Sequence, residues 1–303
     1  MELLGDGYVL LSTPRAAAAA PAVLDRAGSV VHVPRGPVDS IASELRPIAG
    51  GARFVALGGG RVIDVAKALA AADGPREVVA IPTSLSGAEM TGVHRHARGV
   101  AQDTPRVRPV VVINDPHLSA SQPEEALAAS SANALGHATT ALFSDRATPI
   151  SRAVGGDAVE RLVIGWSGQA PDRAALALGA LLAGWAVDHS GLGPHHAFAQ
   201  SAVRIASLEH AQTNAALLPA TLGALRARRP AELARLDARL GITLEEVARQ
   251  LRDRSGADLG ALGTDAELLS LTIDVAAQRP ELDRIPPRPD RAEIRDIYCA
   301  STS

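Results

Sequence analysis

The sequence predicts an α/β N-terminal domain built on a parallel sheet, followed by a domain made of helices alone. In the first third of the chain, short apolar runs alternate with stretches of helical periodicity, which is typical of a parallel sheet. From Ser121 onward, apolar residues recur with helical spacing and strand-like runs almost disappear. A length of 303 residues is sufficient for two domains of ordinary size.

Five apolar runs are the candidate strands: Tyr8–Leu11, Val30–Val33, Phe54–Leu57, Val78–Ile81 and Val110–Ile113. The last run leads into Asn114-Asp115-Pro116, a cluster that breaks regular structure. We therefore place the domain boundary at residue 117, with an α/β domain over residues 1–117 and an all-helical domain over residues 118–303. Helices are expected over residues 124–143, 152–166, 172–189, 194–206, 211–228, 231–239, 243–252 and 264–278.

The composition excludes several classes of protein. A formal net charge of −3 argues against a nucleic-acid-binding surface, so no nucleic acid partner is expected. The single cysteine, Cys299, excludes an internal disulfide framework and a thiolate metal cluster. The N-terminus lacks the basic region of a secretion signal, and the alanine run at 16–20 is too short to cross a bilayer. We therefore expect a cytoplasmic protein with no membrane partner.

A glycine-rich turn lies between the third candidate strand and a helix. Gly58, Gly59 and Gly60 follow the strand, and apolar residues at helical spacing occupy residues 62–72. The free N–H groups and the positive dipole end of such a helix form a site for an anion such as phosphate. The alternative is that the glycines serve backbone conformation only.

Hydroxyl side chains follow the fourth candidate strand. Thr83, Ser84 and Ser86 come directly after it, at the edge where open α/β sheets bind their ligands. The alternative interpretation is a strand that ends in a capping turn. Together with the glycine turn, these residues favour a site for a phosphate-containing ligand.

Histidine and amide side chains recur in the predicted helical domain. Asn133 and His137 are four residues apart and share one helix face. His195 and His196 begin another helix, Gln200 lies four residues beyond His196, and His210 begins the next helix. Each histidine alone is more often a surface or core residue than a functional one, but the set is consistent with a site.

The motifs resemble those of a known family. The segments GGGRVIDVAKA (58–68) and PTSLSGAEMT (82–91), with later stretches such as SSANALGHATTALF (130–143) and SLEHAQTNAALLPATL (207–222), resemble the group III, iron-containing alcohol dehydrogenase superfamily. Within it, the chain is most similar to maleylacetate reductases. The resemblance implies a dehydroquinate synthase-like fold, NADPH or NADH as the cofactor, and an active site in a cleft between the two domains.

The resemblance also implies roles for individual residues. Gly58, Gly59 and Gly60, with Asp64 and Lys67, would hold the pyrophosphate, although Lys67 is alternatively a surface cation. Thr83, Ser84 and Ser86 would line the nicotinamide side. His94 and Arg95 would contact an acidic substrate, unless His94-Arg95-His96 is a solvated loop. Arg15 follows the first strand and favours NADPH mildly, since it could accept a 2′-phosphate.

The metal-ligand positions of the family are altered in this sequence. Motif by motif, they correspond here to Asn133, His137, Gln200 and His210. Two amides and two imidazoles provide no anionic ligand, so we predict no tightly bound metal. His137, His196 and His210 are then the catalytic candidates. His137 or His210 would orient a carbonyl and donate a proton as hydride arrives, while Asn133 and Gln200 would contact the small-molecule substrate.

Three functional hypotheses follow. The first is an NAD(P)H-dependent reductase of a small carbonyl or enoyl-type acid, without a catalytic metal. The second is a non-redox biosynthetic enzyme on the same fold, catalysing a cyclisation, elimination or isomerisation. The third is a catalytically silent homologue. The resemblance implies that about 30 residues, which usually add an edge strand or hairpin at the front of the family, are absent here, so an exposed sheet edge and a homodimer formed through it are also expected.

Overall fold

The computed structural model describes residues 4–51, 53–74 and 76–302. The chain divides into two compact units, residues 1–121 and 122–303. This division falls slightly later than the predicted residue 117, because the short helix after Asp115 carries Leu118, which packs on the core beside the sheet. The α/β class of the first unit and the helical class of the second are confirmed.

The first unit contains one parallel sheet. Its strands are β1 (Tyr8–Ser12), β2 (Ala27–His32), β3 (Arg53–Gly58), β4 (Glu77–Pro82) and β5 (Val111–Val112), in the order β2-β1-β3-β4-β5. Every neighbouring pair is parallel. β2 begins earlier than predicted, since an edge strand that exposes most of its residues carries little hydrophobic signal. β5 is shorter than predicted.

The three inner strands, β1, β3 and β4, are buried on both faces. Phe54 and Ala56 of β3 face one hydrophobic cluster, and Val55 and Leu57 face the other. Successive side chains of a strand point to opposite faces, which is why β3 and β4 read as continuous apolar runs. The helices of this unit are α1 (Pro14–Ala19), α2 (Pro21–Leu24), α3 (Val38–Leu45), α4 (Gly60–Ala72) and α5 (Pro116–Ser119), with a 3₁₀ turn at Ala88–Met90.

The second unit is built around one buried helix. α6 (Glu124–Phe143) packs against α7, α8, α10 and α12, and its small side chains allow close contact on every side. The other helices are α7 (Pro149–Gly165), α8 (Arg173–Ser190), α9 (Pro194–Ala206), α10 (His210–Arg228), α11 (Pro230–Leu240), α12 (Leu244–Ser255), α13 (Ala261–Thr264), α14 (Ala266–Ala277) and α15 (Arg291–Ser301).

Two features of the helical unit differ from the sequence prediction. The helix expected over 264–278 begins two residues later, at Ala266 of α14, because the side chain of Asp265 accepts a hydrogen bond from the Leu268 N–H and caps it. α15 was not predicted; it begins at the Asp290 cap, and the hydroxyl of its Tyr298 donates to the Phe198 carbonyl at 2.8 Å. Within the described part of the chain no single helix is long and apolar enough to cross a membrane, although α8 and α9, bent by 98°, meet that criterion jointly.

Candidate functional sites in the two units

The predicted glycine turn links β3 to α4. β3 ends at Gly58, Gly59 is the N-cap residue of α4, and Gly60 is its first helical residue. Among the described residues no side chain caps this end, and the N–H groups of Val62 and Ile63 both donate to the Gly59 carbonyl. The N-terminus of α4 therefore keeps the amide groups and the dipole end that bind anions.

Close packing explains why these three positions are glycine. A Cβ on Gly58 would lie 2.6 Å from Val62 Cγ2, one on Gly59 3.0 Å from Ser84 Oγ, and one on Gly60 3.0 Å from Ser86 Oγ. The segment after β4 therefore lies directly against the turn. The structure brings together Gly58, Gly59, Gly60, Ser84 and Ser86, as the sequence suggested. Thr83 is buried beside them, and its N–H donates to the Gly58 carbonyl at 2.9 Å.

Lys67 has a different environment from either one predicted. Its side chain is 0% exposed, and Nζ donates to the carbonyls of Ala88, Thr91 and Val93 at 2.9, 3.1 and 2.8 Å. Asp64 Oδ1 lies 2.8 Å from the same nitrogen. The interpretation of Lys67 as a surface cation is wrong, and its ammonium has no donor left for a pyrophosphate. Lys67 and Asp64 instead fix the segment that follows the hydroxyl turn.

Glu89 is a buried acid that sequence analysis did not select. It is 3% exposed, and burial raises the pKa of its carboxyl to about 7, against the opposing effect of Lys67. In the part of the chain that the structure describes, its Oε2 has no hydrogen-bond partner. The only signal in the sequence was its place in the PTSLSGAEMT motif, beside the serines.

The predicted substrate residues His94 and Arg95 are engaged within the α/β unit. His94 Nε2 accepts from the Val107 N–H at 3.1 Å, so its Nδ1 donates to the Arg95 carbonyl at 3.2 Å. Both ring nitrogens are used, and burial lowers the pKa of His94 to about 4. Arg95 is exposed and pairs with Asp39 at 3.8 Å. The alternative of a solvated loop is wrong for His94 and His96, which are buried.

In the helical unit, α6 and α9 bring three candidate residues into contact. The rings of His137 and His196 stack with centroids 4.2 Å apart. His196 Nε2 lies 3.2 Å from Asn133 Oδ1, so this nitrogen carries the proton and donates. His195 meets His196 edge to face, with ring centroids 5.1 Å apart. We call Asn133, His137, His195 and His196 the histidine cluster.

Glycine is required beside the histidine cluster. A Cβ on Gly136, between Asn133 and His137 on α6, would lie 2.5 Å from His195 Cδ2 and 3.4 Å from His196 Cε1. On the other side of His195, Nδ1 donates to Thr221 Oγ1 at 2.9 Å, because that hydroxyl donates to the Leu218 carbonyl. The position of His195 is therefore fixed from two sides.

Burial keeps the rings of the histidine cluster neutral. Desolvation lowers the pKa of His137 and of His195 to about 3, and His210 adds to both effects. The pKa of His196 is also well below its ordinary value, for the same first cause. Among the described residues, His137 Nδ1 and His196 Nδ1 have no hydrogen-bond partner. The cluster can therefore exchange hydrogen bonds with a ligand, but it does not store a proton at neutral pH.

Gln200 lies in other surroundings than the histidine cluster, whereas His210 is near enough to lower the pKa of His137, His195 and His196. Gln200 Oε1 accepts a hydrogen bond from Arg279 Nη2 at 2.6 Å, and Arg279 also pairs with Glu281. His210 is exposed, and its Nε2 lies 3.3 Å from Asn214 Nδ2. The sequence grouped Gln200 with Asn133 and His137, but the side chain that contacts Asn133 and His137 is His196.

The four positions that resemble metal ligands do not fit a divalent metal as they stand. The oxygens of Asn133 and Gln200 are hydrogen-bonded to His196 and Arg279, and His210 Nε2 faces an amide donor. Over the residues that the structure describes, no group of three or more His, Cys, Asp or Glu side chains is placed to hold a metal ion. The donor set also lacks an anion, which catalytic divalent metals usually require.

Comparison with known proteins shows the family of this chain. Residues 127–300 match the family described as "Fe-containing alcohol dehydrogenase family, C-terminal". The chain belongs to the iron-containing alcohol dehydrogenase family. Maleylacetate reductase 2 of Cupriavidus pinatubonensis is 34% identical over 71% of this chain and 62% of its own length, so the match spans less than two thirds of that relative. Maleylacetate reductase 1 of Rhodococcus opacus is 30% identical over 89% of this chain and 78% of its own length.

Solved structures share the architecture. Maleylacetate reductase from Agrobacterium tumefaciens superposes with a TM-score of 0.81 and 29% identity, over 98% of this chain and 89% of that one. A sulfoacetaldehyde reductase from Bifidobacterium kashiwanohense, solved with NAD⁺, has a TM-score of 0.78 over 100% of this chain and 93% of that one. At 20% identity, this second likeness shows the fold alone. The relatives are oxidoreductases, and the predicted family and fold are confirmed.

Proposed function

We propose that this protein is an NAD(P)H-dependent reductase of a small carbonyl or enoyl-type acid that works without a bound metal. The observation that carries the proposal is the open N-terminus of α4, where Gly59 and Gly60 pack against Ser84 and Ser86. That arrangement lets a pyrophosphate approach the backbone closely. The names of the relatives, which are maleylacetate reductases, support the reaction class.

In this proposal the α/β unit binds the nucleotide, which supplies hydride when bound. Gly58, Gly59 and Gly60 offer the pyrophosphate their backbone, and Ser84 and Ser86 offer hydroxyls beside it. Lys67 takes no part in binding and acts only by holding the segment after Ser86. NADPH is preferred over NADH because Arg15 lies after β1 without an acidic neighbour.

The helical unit acts on the substrate. A neutral imidazole polarises a carbonyl by donating an N–H hydrogen bond, and His137 is kept neutral by burial. Since His137 does not carry an extra proton at neutral pH, the proton that reaches the carbonyl oxygen comes from solvent through the exposed His210. Asn133 holds His196, and so orients the ring that stacks on His137.

Calorimetric titration with NADPH and then NADH tests the nucleotide site. Gly60→Ala should weaken NADPH binding by about tenfold or more, because its Cβ would press on Ser86 at 3.0 Å. Gly50→Ala is the matched control, since a Cβ there meets nothing within 4 Å. Failure of the wild type to bind either nucleotide would contradict the proposal and favour non-redox chemistry.

Reduction of 3-oxo acids and aldehydes, followed by NADPH oxidation, tests the substrate side. His137→Ala and His210→Ala should both lower kcat, and unchanged activity in both variants would contradict their catalytic roles. Absence of any activity in the wild type would favour a silent homologue. Elemental analysis after purification without chelators tests whether the protein carries a bound metal. Stoichiometric iron or zinc would contradict it.

A homodimer through the β2 edge is part of the proposal. Among the described strands β2 pairs with β1 alone, and Gly28, Ser29 and Val30 along it are exposed. Such an edge pairs readily with another strand unless it is covered. A mass measurement in solution that gives a monomer would contradict the dimer without affecting the reductase proposal.

A further inference from the structure

A pocket of the helical unit lies beside the histidine cluster. It is formed by α6, α9, α10, α15 and the segment around residues 285–289, and encloses about 490 Å³ of empty space including its mouth. Phe198, Leu218, Leu222 and Ile297 provide much of its wall. The nucleotide motif belongs to the other unit, so this pocket is a separate feature.

The hydroxyls of Thr221 and Thr139 on the wall already have hydrogen-bond partners, whereas His195 Nε2 has none among the described residues and lies against Gly136. Thr221 Oγ1 donates to the Leu218 carbonyl and accepts from His195 Nδ1. Thr139 Oγ1 donates to the Leu135 carbonyl at 2.9 Å within α6. A ligand would therefore gain little from hydrogen bonds with these hydroxyls, and its contacts with the wall would be mainly apolar.

The charges on the wall are also satisfied. Arg228 donates from Nε to the Pro287 carbonyl at 3.0 Å and from Nη1 to the Ala224 carbonyl at 3.0 Å. Its Nη2 lies 2.7 Å from Glu293 Oε2 in a two-pronged ion pair. An anionic ligand would have to displace Glu293 from this guanidinium or enter without a partner, and either costs free energy.

We propose that this pocket binds a small, uncharged and predominantly apolar molecule. His195 lines the pocket and contacts His196. The ring of His195 therefore separates a bound molecule from the stacked rings of His137 and His196. The ligand proposed for this pocket differs from the acid substrate of the reductase reaction proposed above. It does not depend on nucleotide binding.

Fluorine NMR titration of the full chain with 4-fluorotoluene tests this site. We expect saturable binding, with cross-relaxation between the probe's ring and the methyl groups of Leu218 and Leu222. The charged analogue 4-fluorobenzoate should bind at least about tenfold more weakly, since its carboxylate finds no free cation. Absence of saturable binding, or equal binding of the two probes, would overturn the proposal.

Two matched variants locate the bound probe. Ala224→Phe places a ring in the pocket and should weaken 4-fluorotoluene binding at least about tenfold. Ala227→Phe, at an exposed position on the same helix, should leave it unchanged. Loss of binding in Ala227→Phe alone would overturn the assignment. If Ala224→Phe does not fold, cross-relaxation to Leu222 in the wild type decides the location, and its absence despite binding also overturns the proposal.

NADPH titration of the same samples separates this proposal from the reductase proposal. Probe binding without nucleotide binding would support the pocket and contradict the reductase. Nucleotide binding without probe binding would support the reductase proposal and contradict the pocket proposal.

Discussion

Lys67 in the α/β unit and the histidine cluster in the helical unit are both buried and polar, but the protein satisfies them to different degrees. The ammonium of Lys67 has three carbonyls and a carboxylate around it. His137 and His196 each keep a ring nitrogen that, within the described residues, has no hydrogen-bond partner. A buried group with a full set of partners serves the fold, whereas one left unpaired has capacity for a ligand.

Removing the Lys67 ammonium should have the largest effect. Lys67→Met leaves Asp64 and three buried or partly buried carbonyls without their cation, and should lower the free energy of unfolding by about 3–5 kcal/mol. Urea denaturation followed by circular dichroism measures it. Arg61→Met, at an exposed position of the same helix, is the control and should cost little. A loss below about 1 kcal/mol for Lys67→Met would contradict the statement that the paired Lys67 ammonium serves the stability of the fold.

Glu89 sharpens the comparison, because it is a buried group of the α/β unit that is not fully satisfied. Its folded pKa is raised to about 7 from 4.5, so the stability it contributes is present below pH 4.5 and is lost as pH rises to about 7. Glu89→Gln should therefore stabilise the protein at pH 8, on the order of 3 kcal/mol, and not at pH 4. Denaturation at both pH values measures this. Glu44→Gln, at an exposed position of α3, is the control and should change the free energy of unfolding little at either pH.

Gly136→Ala tests how tightly the histidine cluster is fixed. The added Cβ would lie 2.5 Å from the His195 ring, so the ring or the helix must shift, at about 1–3 kcal/mol. The imidazole NMR signals of His195 and His196 should move. Gly223→Ala in α10 has open space around it and should stabilise by about 0.5–1 kcal/mol. Equal effects from the two substitutions would mean that the cluster is not closely packed.

The smallest effect on stability is expected from replacing two buried serines, one in each unit. Ser12 Oγ donates to the Leu57 carbonyl at 2.8 Å, so Ser12→Ala should cost about 1 kcal/mol. Ser131 Oγ, on buried α6, has no hydrogen-bond partner among the described residues. Ser131→Ala should therefore be neutral or slightly stabilising. Thermal denaturation of both variants checks the difference, and a larger loss for Ser131→Ala would reverse the comparison.

The parts of the site that are local in sequence could be predicted. The strand, the glycine turn and the helix are adjacent in the chain, and β4 with its serines pairs directly with β3. Asn133 and His137 shared a face by helical spacing. Gln200 was misgrouped because its partner, Arg279, is far away in the chain. Lys67 and His94 make their contacts with backbone carbonyl and amide groups. Residues of every type carry a backbone carbonyl, so the residue types in the sequence do not indicate which backbone groups these side chains contact.

The buried position of Lys67 has a practical consequence, because it is the only lysine in the sequence. A tetrahedral ammonium can direct its donors to three converging carbonyls, which the planar fork of arginine cannot do. A lysine-specific protease therefore finds no accessible cleavage site in the folded α/β unit. When α4 opens, a single cut after Lys67 releases two fragments, so the cleavage rate would report the local opening of this helix directly.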